Sequence, residues 1–435
     1  MTIGRDGTWR NWARNQVGRP AAFVHPSSED ELCRAVKDAA TAGQTIKAVG
    51  AGHSFTGAAL TDGHLVVLDN YARVLDIDTV NYRVTVQAGI TLAALNDELD
   101  RRGLAMPNLG DIAYQTVAGA TSTGTHGTGA ALRGLAAQIV AMRIVTGDGS
   151  VIACDAENEP EVFHCARVGL GSVGIVSTVT LQVVPAFTLT VLEQPMRVDD
   201  VLEGIDEFVD TNDHFEFFWV PHTGWALTKR NNRTTDAAAP RKRWKELFDD
   251  YGMENIAFGA VCRVGRRAPK LIPKLATALP SQGTVSYSDK SFKVFASPRF
   301  VRFYEMEYSI PRAACGEALN RVRRLVDESG LRISFPVEVR FTAPDDIPLS
   351  TGFGEPRCYI AVHVFERMEY RRYFEGVEAI MDDYGGRPHW GKLHFQTAAT
   401  LAPRYPEWDR FAAVRNRLDP DRRFTNAYLQ RVLCS

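Results

Sequence analysis

Glu338 and Arg340 stand two residues apart in a stretch, Ile333 to Phe341, that alternates with period two. As a strand it turns Phe335, Val337, Val339 and Phe341 to one face and projects Glu338 and Arg340 together from the other. A paired carboxylate and guanidinium can orient a polyhydroxylated substrate, and the guanidinium can stabilise a developing anion. Taken alone, on a half-exposed strand, the pair would be a surface ion pair. Further along, Pro388-His389-Trp390-Gly391-Lys392 gathers an imidazole, an indole and an ammonium in one turn. Lys392 can stabilise an alkoxide there, and His389 can pack or hydrogen-bond beside a cofactor ring. His363, inside the apolar run Tyr359 to Phe365, reads equally as a satisfied core residue.

Two glycine-rich stretches offer a different chemistry. In Ile46 to Gly57 a short apolar run breaks into Gly50-Ala51-Gly52, followed at once by His53. A strand ending in such a turn brings bare backbone N–H groups close to an anion, with an imidazole on the rim. It is not a Rossmann loop, because Phe55 stands where a third small residue belongs and no amphipathic helix follows. Nor is it a Walker loop, since no Gly-Lys-Ser/Thr follows. The second stretch, Thr116 to Gly129, holds Gly119, Gly124, Gly127 and Gly129 among five threonines and serines after its first residue, all suited to phosphate and ribose oxygens. A flexible loop is the plain alternative for each.

The elements that must position these residues fall into two or more domains, because 435 residues exceed one hydrophobic core of usual size. A net charge of −2 gives no general pull toward nucleic acid or anionic lipid. Seven scattered cysteines without a C-x-x-C pair predict reduced thiols in the cytoplasm, and no histidine and carboxylate spacing matches a metal site. The opening residues lack an apolar signal core and no run approaches the ~20 apolar residues of a membrane span, which leaves only peripheral attachment to a membrane.

Along the chain, Ala22 to His25, a helix opened by a Ser28/Glu31 capping box and running to about Ala40, and Ile46 to Val49 predict a βαβ unit feeding the first glycine turn. Arg83 to Gln87 and a helix capped by Thr91 and stopped at Gly103 form a second α/β unit. Gly147-Asp148-Gly149 predicts a hairpin between Ile139 to Val145 and Val151 to Cys154. The β-branched run Gly174 to Val184 ends at Pro185, where the first boundary is placed. Beyond it Phe215, Phe217 and Trp219 alternate as in a sheet, and the basic segment Lys229 to Lys245 reads as a solvated loop.

Taken in order, these stretches resemble the FAD-dependent vanillyl-alcohol-oxidase (PCMH-type) superfamily, in its aldonolactone and alditol oxidase branch, over nearly the whole chain. The resemblance is carried by Val49-Gly50-Ala51-Gly52-His53-Ser54-Phe55, Gly124-Thr125-His126-Gly127-Thr128-Gly129, Glu338-Val339-Arg340, His389-Trp390-Gly391-Lys392 and the ending Leu418 to Asn426. It implies an α+β protein with a PCMH-type FAD-binding domain at 1–185 and a substrate (cap) domain at 186–395 built on a large, mostly antiparallel sheet flanked by helices. Residues 396–435 would then return to the FAD-binding domain. The implied cofactor is FAD, with His53 at the position that in many relatives bonds covalently to the flavin.

The cofactor-contacting positions implied are Val49, Gly50, Ala51, Gly52, His53 and Ser54; Gly110 and Asp111; Thr116, Gly119, Thr123, Gly124, Thr125, His126 and Gly127; Gly174, Ile175 and Val176; and His389. The implied catalytic set is Lys392 and Arg340 for the alkoxide and the reduced flavin, with Glu338 and His363 holding substrate hydroxyls; no metal is expected. Asp111 stands where alditol oxidases have serine, and Asp213 to Pro221 resembles the lactone branch. The expected substrate is therefore a gulono-, galactono- or arabino-1,4-lactone, oxidised beside its carbonyl to an ascorbate-type product. Gly110 is read as leaving room for O₂, which makes O₂ the expected acceptor. The competing expectations are a dehydrogenase using cytochrome c or a quinone, an alditol (xylitol or sorbitol) oxidase, and a non-catalytic flavin-binding protein.

Overall fold

The structure is a computed structural model that describes residues 1–241, 258–278, 283–296 and 301–434. Part of the basic segment, from residue 242 to 245, lies outside the described residues.

Ser28 caps the first helix, Glu29–Thr41, by accepting from the Glu31 amide, and Leu32, Ala35, Val36 and Ala39 form its buried stripe. The expected capping box is not reciprocal: the Glu31 carboxylate takes the amide and hydroxyl of Ser27 instead, at 2.7 and 3.0 Å. The flanking strands Ala22–Val24 and Ile46–Val49 are parallel as a βαβ unit requires, yet they do not touch. A third strand, His64–Val67, lies between them and pairs with both. Its four residues are too few for alternation to announce it.

Thr91 caps Leu92–Asp100, and Gly103 adopts φ 68° just beyond. The hairpin Ile139–Val145/Val151–Asp155 forms the edge of a five-stranded antiparallel sheet, continued by Ile175–Gln182, Arg83–Gln87 and Val74–Asp78. The second glycine-rich stretch is partly helical, because Thr116 caps a turn of helix over Val117–Ser122. Burial of Val117, Ala118, Ala120 and Thr121 outweighs the poor helix propensity of glycine and threonine there.

The second half is dominated by an eight-stranded antiparallel sheet in the order Val285–Lys290, Thr188–Arg197, Trp225–Thr234, His214–Trp219, Val337–Thr342, Arg357–Phe365, Phe303–Pro311, Arg387–Pro388. Helices Val198–Glu203, Ile205–Thr211, Cys315–Glu328 and Arg371–Asp382 cover one face and bury Phe215, Phe217, Met306, Val337, Val339 and Ile360 in a core of their own. The other face meets the first half. Lys229 to Thr234 is therefore strand and not loop, and the Lys229 side chain is only 16% exposed.

The last forty residues contribute Leu418, Phe424, Tyr428, Leu429 and Val432 to the core of the first half. Hydrogen bonds tie this segment behind the first glycine turn. Ile46 N–H donates to Arg423 O at 2.9 Å, and the buried Lys47 ammonium donates to Gly171 O at 2.7 Å and Phe424 O at 3.0 Å. Asn426 donates to the carbonyls of Gly57, Ala58 and Leu60 at 3.0, 3.1 and 2.8 Å, while its oxygen caps the last helix through Leu429 N–H. Among the described residues no helix is long and apolar enough to cross a membrane, and all seven cysteines are free thiols. Replacing Asn426 with Ala removes a helix cap and leaves three part-buried carbonyls short of a donor, so stability should fall by about 2 kcal/mol in chemical denaturation.

Candidate active site

The strand Ile46–Val49 ends in a turn that admits no side chain at two positions. A Cβ on Gly50 would lie 2.0 Å from Thr116 Oγ1, and Gly52 holds φ +67°. The turn is pressed against the second glycine stretch, so their backbones wall one cavity. His53 stacks on Trp12 at 5.6 Å, and its buried Nδ1 finds no hydrogen-bond partner among the described residues. Burial pushes its imidazole down to about 4, which leaves it neutral at physiological pH. The loop is stitched to the 389–392 turn: Phe55 N–H and Ser54 Oγ both donate to Gly391 O, at 2.7 and 3.1 Å. Two distant parts of the chain thereby become one rim.

Facing them, the cap sheet presents a wall of buried charge. Arg340 donates through Nε to Glu216 at 2.8 Å, lies 2.9 Å from Asp111 through Nη2, and pairs with Glu338. Both faces of Val337–Thr342 are buried, so Glu338 and Arg340 are not the surface pair that the isolated strand suggests. Burial alone would discharge the guanidinium, but these carboxylates hold its pKa well above the usual value. Glu338 is raised to about 7 because burial outweighs the pull of Arg340.

Lys392 sits 2.6 Å from Glu305 and 2.9 Å from Glu307, which keep it charged despite burial. Burial works against ionisation of Glu305, yet Lys392 and then His363 draw it down to about 2. His363 lies 3.3 Å from Glu305 through Nε2, with Nδ1 3.1 Å from Pro336 O. His389 is lowered to about 3, by burial first and then by Lys392, and its Nδ1 accepts from Gly391 N–H at 3.0 Å. His126 stacks on Tyr359 at 3.7 Å and reaches Glu307 at 3.2 Å.

These groups, apart from Glu307 and Tyr359, line a single cavity of about 1190 Å³. That exceeds the roughly 300–1,000 Å³ of ordinary small-molecule pockets and suits a dinucleotide together with a small substrate. Glu338, Arg340, Lys392 and His363 all reach it, as do Val49, Gly50, Ala51, Gly52, His53, Ser54, Gly110, Asp111, Thr116, Gly119, Thr123, Thr125, His126, Gly174, Ile175, Val176 and His389. Gly124 and Gly127 do not line it. Gly124 ends the short helix with φ +77°, and Gly127 packs where a Cβ would meet Leu109 O at 2.3 Å.

Glu216, Glu305, Glu307, Trp12 and Lys229 belong to the site or its supports and were not singled out from the sequence. The alternation Glu305-Met306-Glu307-Tyr308 was a readable signal, since Met306 and Tyr308 enter the core and the two acids point away from it. Among the described residues, three groups of acids and histidines lie within metal-ligating reach of one another, around Glu307, Glu305 and Glu216. Each adjoins Lys392 or Arg340, which already supplies the counter-charge.

The residues present fit FAD: a glycine-lined cavity at the end of a strand, a buried imidazole nitrogen without a partner among the described residues, and cations on the opposite wall. Fold and site define a two-domain PCMH-type, FAD-dependent oxidoreductase acting on CH–OH donors. The chain matches the FAD binding domain family over residues 20–155, and it belongs to the D-arabinono-1,4-lactone oxidase family, matched over residues 179–432.

It is 49% identical to an L-gulono-1,4-lactone dehydrogenase of Mycobacterium tuberculosis, over 98% of this chain and 99% of that protein. It is 34% identical to the L-gulonolactone oxidase of Bos taurus, over 99% and 100% of the two chains. A cholesterol oxidase from B. sterolicum shares the fold with a TM-score of 0.81 at 17% identity, covering 98% of this chain and 96% of its own.

Proposed function

We propose that the protein dehydrogenates a sugar 1,4-lactone, of which L-gulono-1,4-lactone is the first to test, at the carbinol carbon beside the ring carbonyl, and passes the electrons to cytochrome c or a quinone in preference to O₂. The observation that carries the reading is that one cavity is walled by both glycine turns and by the Glu338, Arg340 and Lys392 cluster. The mycobacterial relative supports the choice of acceptor. Gly110 gives the oxidase reading less support than its lack of a side chain suggests: a Cβ there would lie 3.1 Å from His126 O and 3.2 Å from Thr125 Cγ2. Protein atoms already crowd the place of the missing side chain, which weakens the argument from Gly110 for O₂ access. The bovine relative favours the oxidase as the second reading.

Bound FAD supplies the hydride acceptor. The chain's own residues supply orientation and charge. Glu338, a carboxyl that ionises near neutrality, takes the proton of the carbinol hydroxyl. Lys392, held cationic by Glu305 and Glu307, stabilises the alkoxide left behind. Arg340 fixes Glu338 and lends the wall positive charge. His363, anchored on Pro336 O and Glu305, holds a second substrate hydroxyl. Trp12, Phe55, Phe303 and Phe335 exclude water on the His53 side. His53, neutral and with a buried nitrogen that has no partner among the described residues, is proposed as the point of covalent flavin attachment.

After anaerobic reduction by L-gulono-1,4-lactone, the enzyme should be reoxidised by cytochrome c or a quinone at least ~100-fold faster than by air-saturated buffer. Stoichiometric O₂ uptake at the rate of turnover would give the oxidase reading. The rate of flavin reduction should rise with pH through about 7, because Glu338 must lose its proton to accept another. Glu338→Gln should flatten that profile and slow reduction by roughly 10²–10⁴-fold, and Lys392→Ala should slow reduction while FAD content is kept. Acid-denatured wild-type protein should retain its yellow colour on the polypeptide and His53→Ala should release it; colour lost from both would rule out a covalent link.

A further inference from the structure

We infer that Lys229 is a positioning residue for the Glu338 and Arg340 pair, the second rung of a cross-strand row of alternating charge, Glu193, Lys229, Glu216 and Arg340. The inference rests on the proposed proton-accepting role of Glu338. Antiparallel register sets Glu193 opposite Lys229, and Lys229 opposite Glu216, so the three side chains leave one face of the sheet side by side. Arg340 on the next strand completes the row by donating to Glu216. All four side chains line the cavity.

The row matters because the guanidinium is oversubscribed. Glu216, Asp111 and Glu338 all pair with Arg340. Glu216 gives one oxygen to Arg340 at 2.8 Å, while its other oxygen lies 3.7 Å from Lys229 Nζ. Lys229 itself is held by a hydrogen bond to Val294 O at 3.3 Å. Glu216 is therefore shared between two cations, and the share that Lys229 carries leaves Arg340 free to favour the ionised form of Glu338. Arg340, Lys392 and His363 act on Glu338 as cationic or potentially cationic groups, and Asp111, Glu216 and Glu305 as acidic ones. With side chains 16% and 7% exposed, Lys229 and Glu216 are poorly screened, so a charge removed from the row is felt along it.

Lys229 and Glu193, a cation and an acid on neighbouring strands, must then act in opposite directions. The test is the pH dependence of flavin reduction by L-gulono-1,4-lactone in the holoenzyme, measured by stopped flow. Lys229→Met should move the midpoint upward by roughly half to one pH unit, with kcat at pH 7 lowered severalfold and KM little changed. Lys229→Arg should restore it, and Glu193→Gln should move it downward by a smaller amount. An unmoved midpoint in Lys229→Met, or shifts of the same sign in Lys229→Met and Glu193→Gln, would overturn the inference. Should Lys229→Met not fold, Glu193→Gln decides the matter: a downward shift supports the row, and an unmoved or upward midpoint overturns it. A wild-type profile in Glu338→Gln would overturn the role of Glu338 and the row's function with it. A flat Glu338→Gln profile beside an unmoved Lys229→Met midpoint would overturn the row alone.

Discussion

Buried charge has to be answered by charge, and the candidate site is built around two such answers. Lys392 is enclosed by Glu305 and Glu307, and Arg340 by Glu216, Asp111 and Glu338. Removing either cation would strand carboxylates in a medium that solvates them poorly, a penalty far larger than the gain from any single exposed ion pair. The arrangement keeps both cations charged and rigid at neutral pH. It also leaves one carboxyl, Glu338, raised to about 7, because burial outweighs the pull of Arg340 and the neighbouring Asp111 and Glu216 push in the same direction.

The sheet makes this geometry possible. Its helix-covered face is packed with Phe215, Phe217, Val337, Val339 and Met306, while the residues between them point toward the first half of the chain. Alternation thus converts an apolar core on one side into a charged wall on the other. The FAD-binding half contributes the complementary surface: backbone turns at Gly50 to His53 and Thr116 to His126 that carry donors and little bulk. Gly391, which accepts from Ser54 and Phe55, joins wall and turns directly. The C-terminal segment braces the turns from behind through Arg423, Phe424 and Asn426.

Several features were legible in the sequence because they are local. Ser28 and Thr91 cap the helices they precede, Gly147 to Gly149 turns a hairpin, and Phe215 to Trp219 alternates as a strand. The same locality explains the misreadings. His64–Val67 is too short to show a period, Val117–Ser122 is helical against its propensity, and Lys229 looked like part of a basic loop because its partners lie on other strands. Gly124 and Gly127, cofactor contacts by resemblance, stand off the cavity wall: one follows the short helix with positive φ, and the other sits where Leu109 O approaches.

What the sequence by itself determined is the set of chemical groups, their family and the elements that carry them, since periodicity, caps and glycine turns act over a few residues. Which charges meet was decided only by the tertiary structure. Glu216 and Arg340 are separated by 124 positions and share a hydrogen bond; Lys392 finds its acids on a strand more than eighty residues earlier. Such pairings depend on strand order and register across the whole sheet, and they turn Glu338, an ordinary carboxylate by sequence, into a group that exchanges its proton near neutrality.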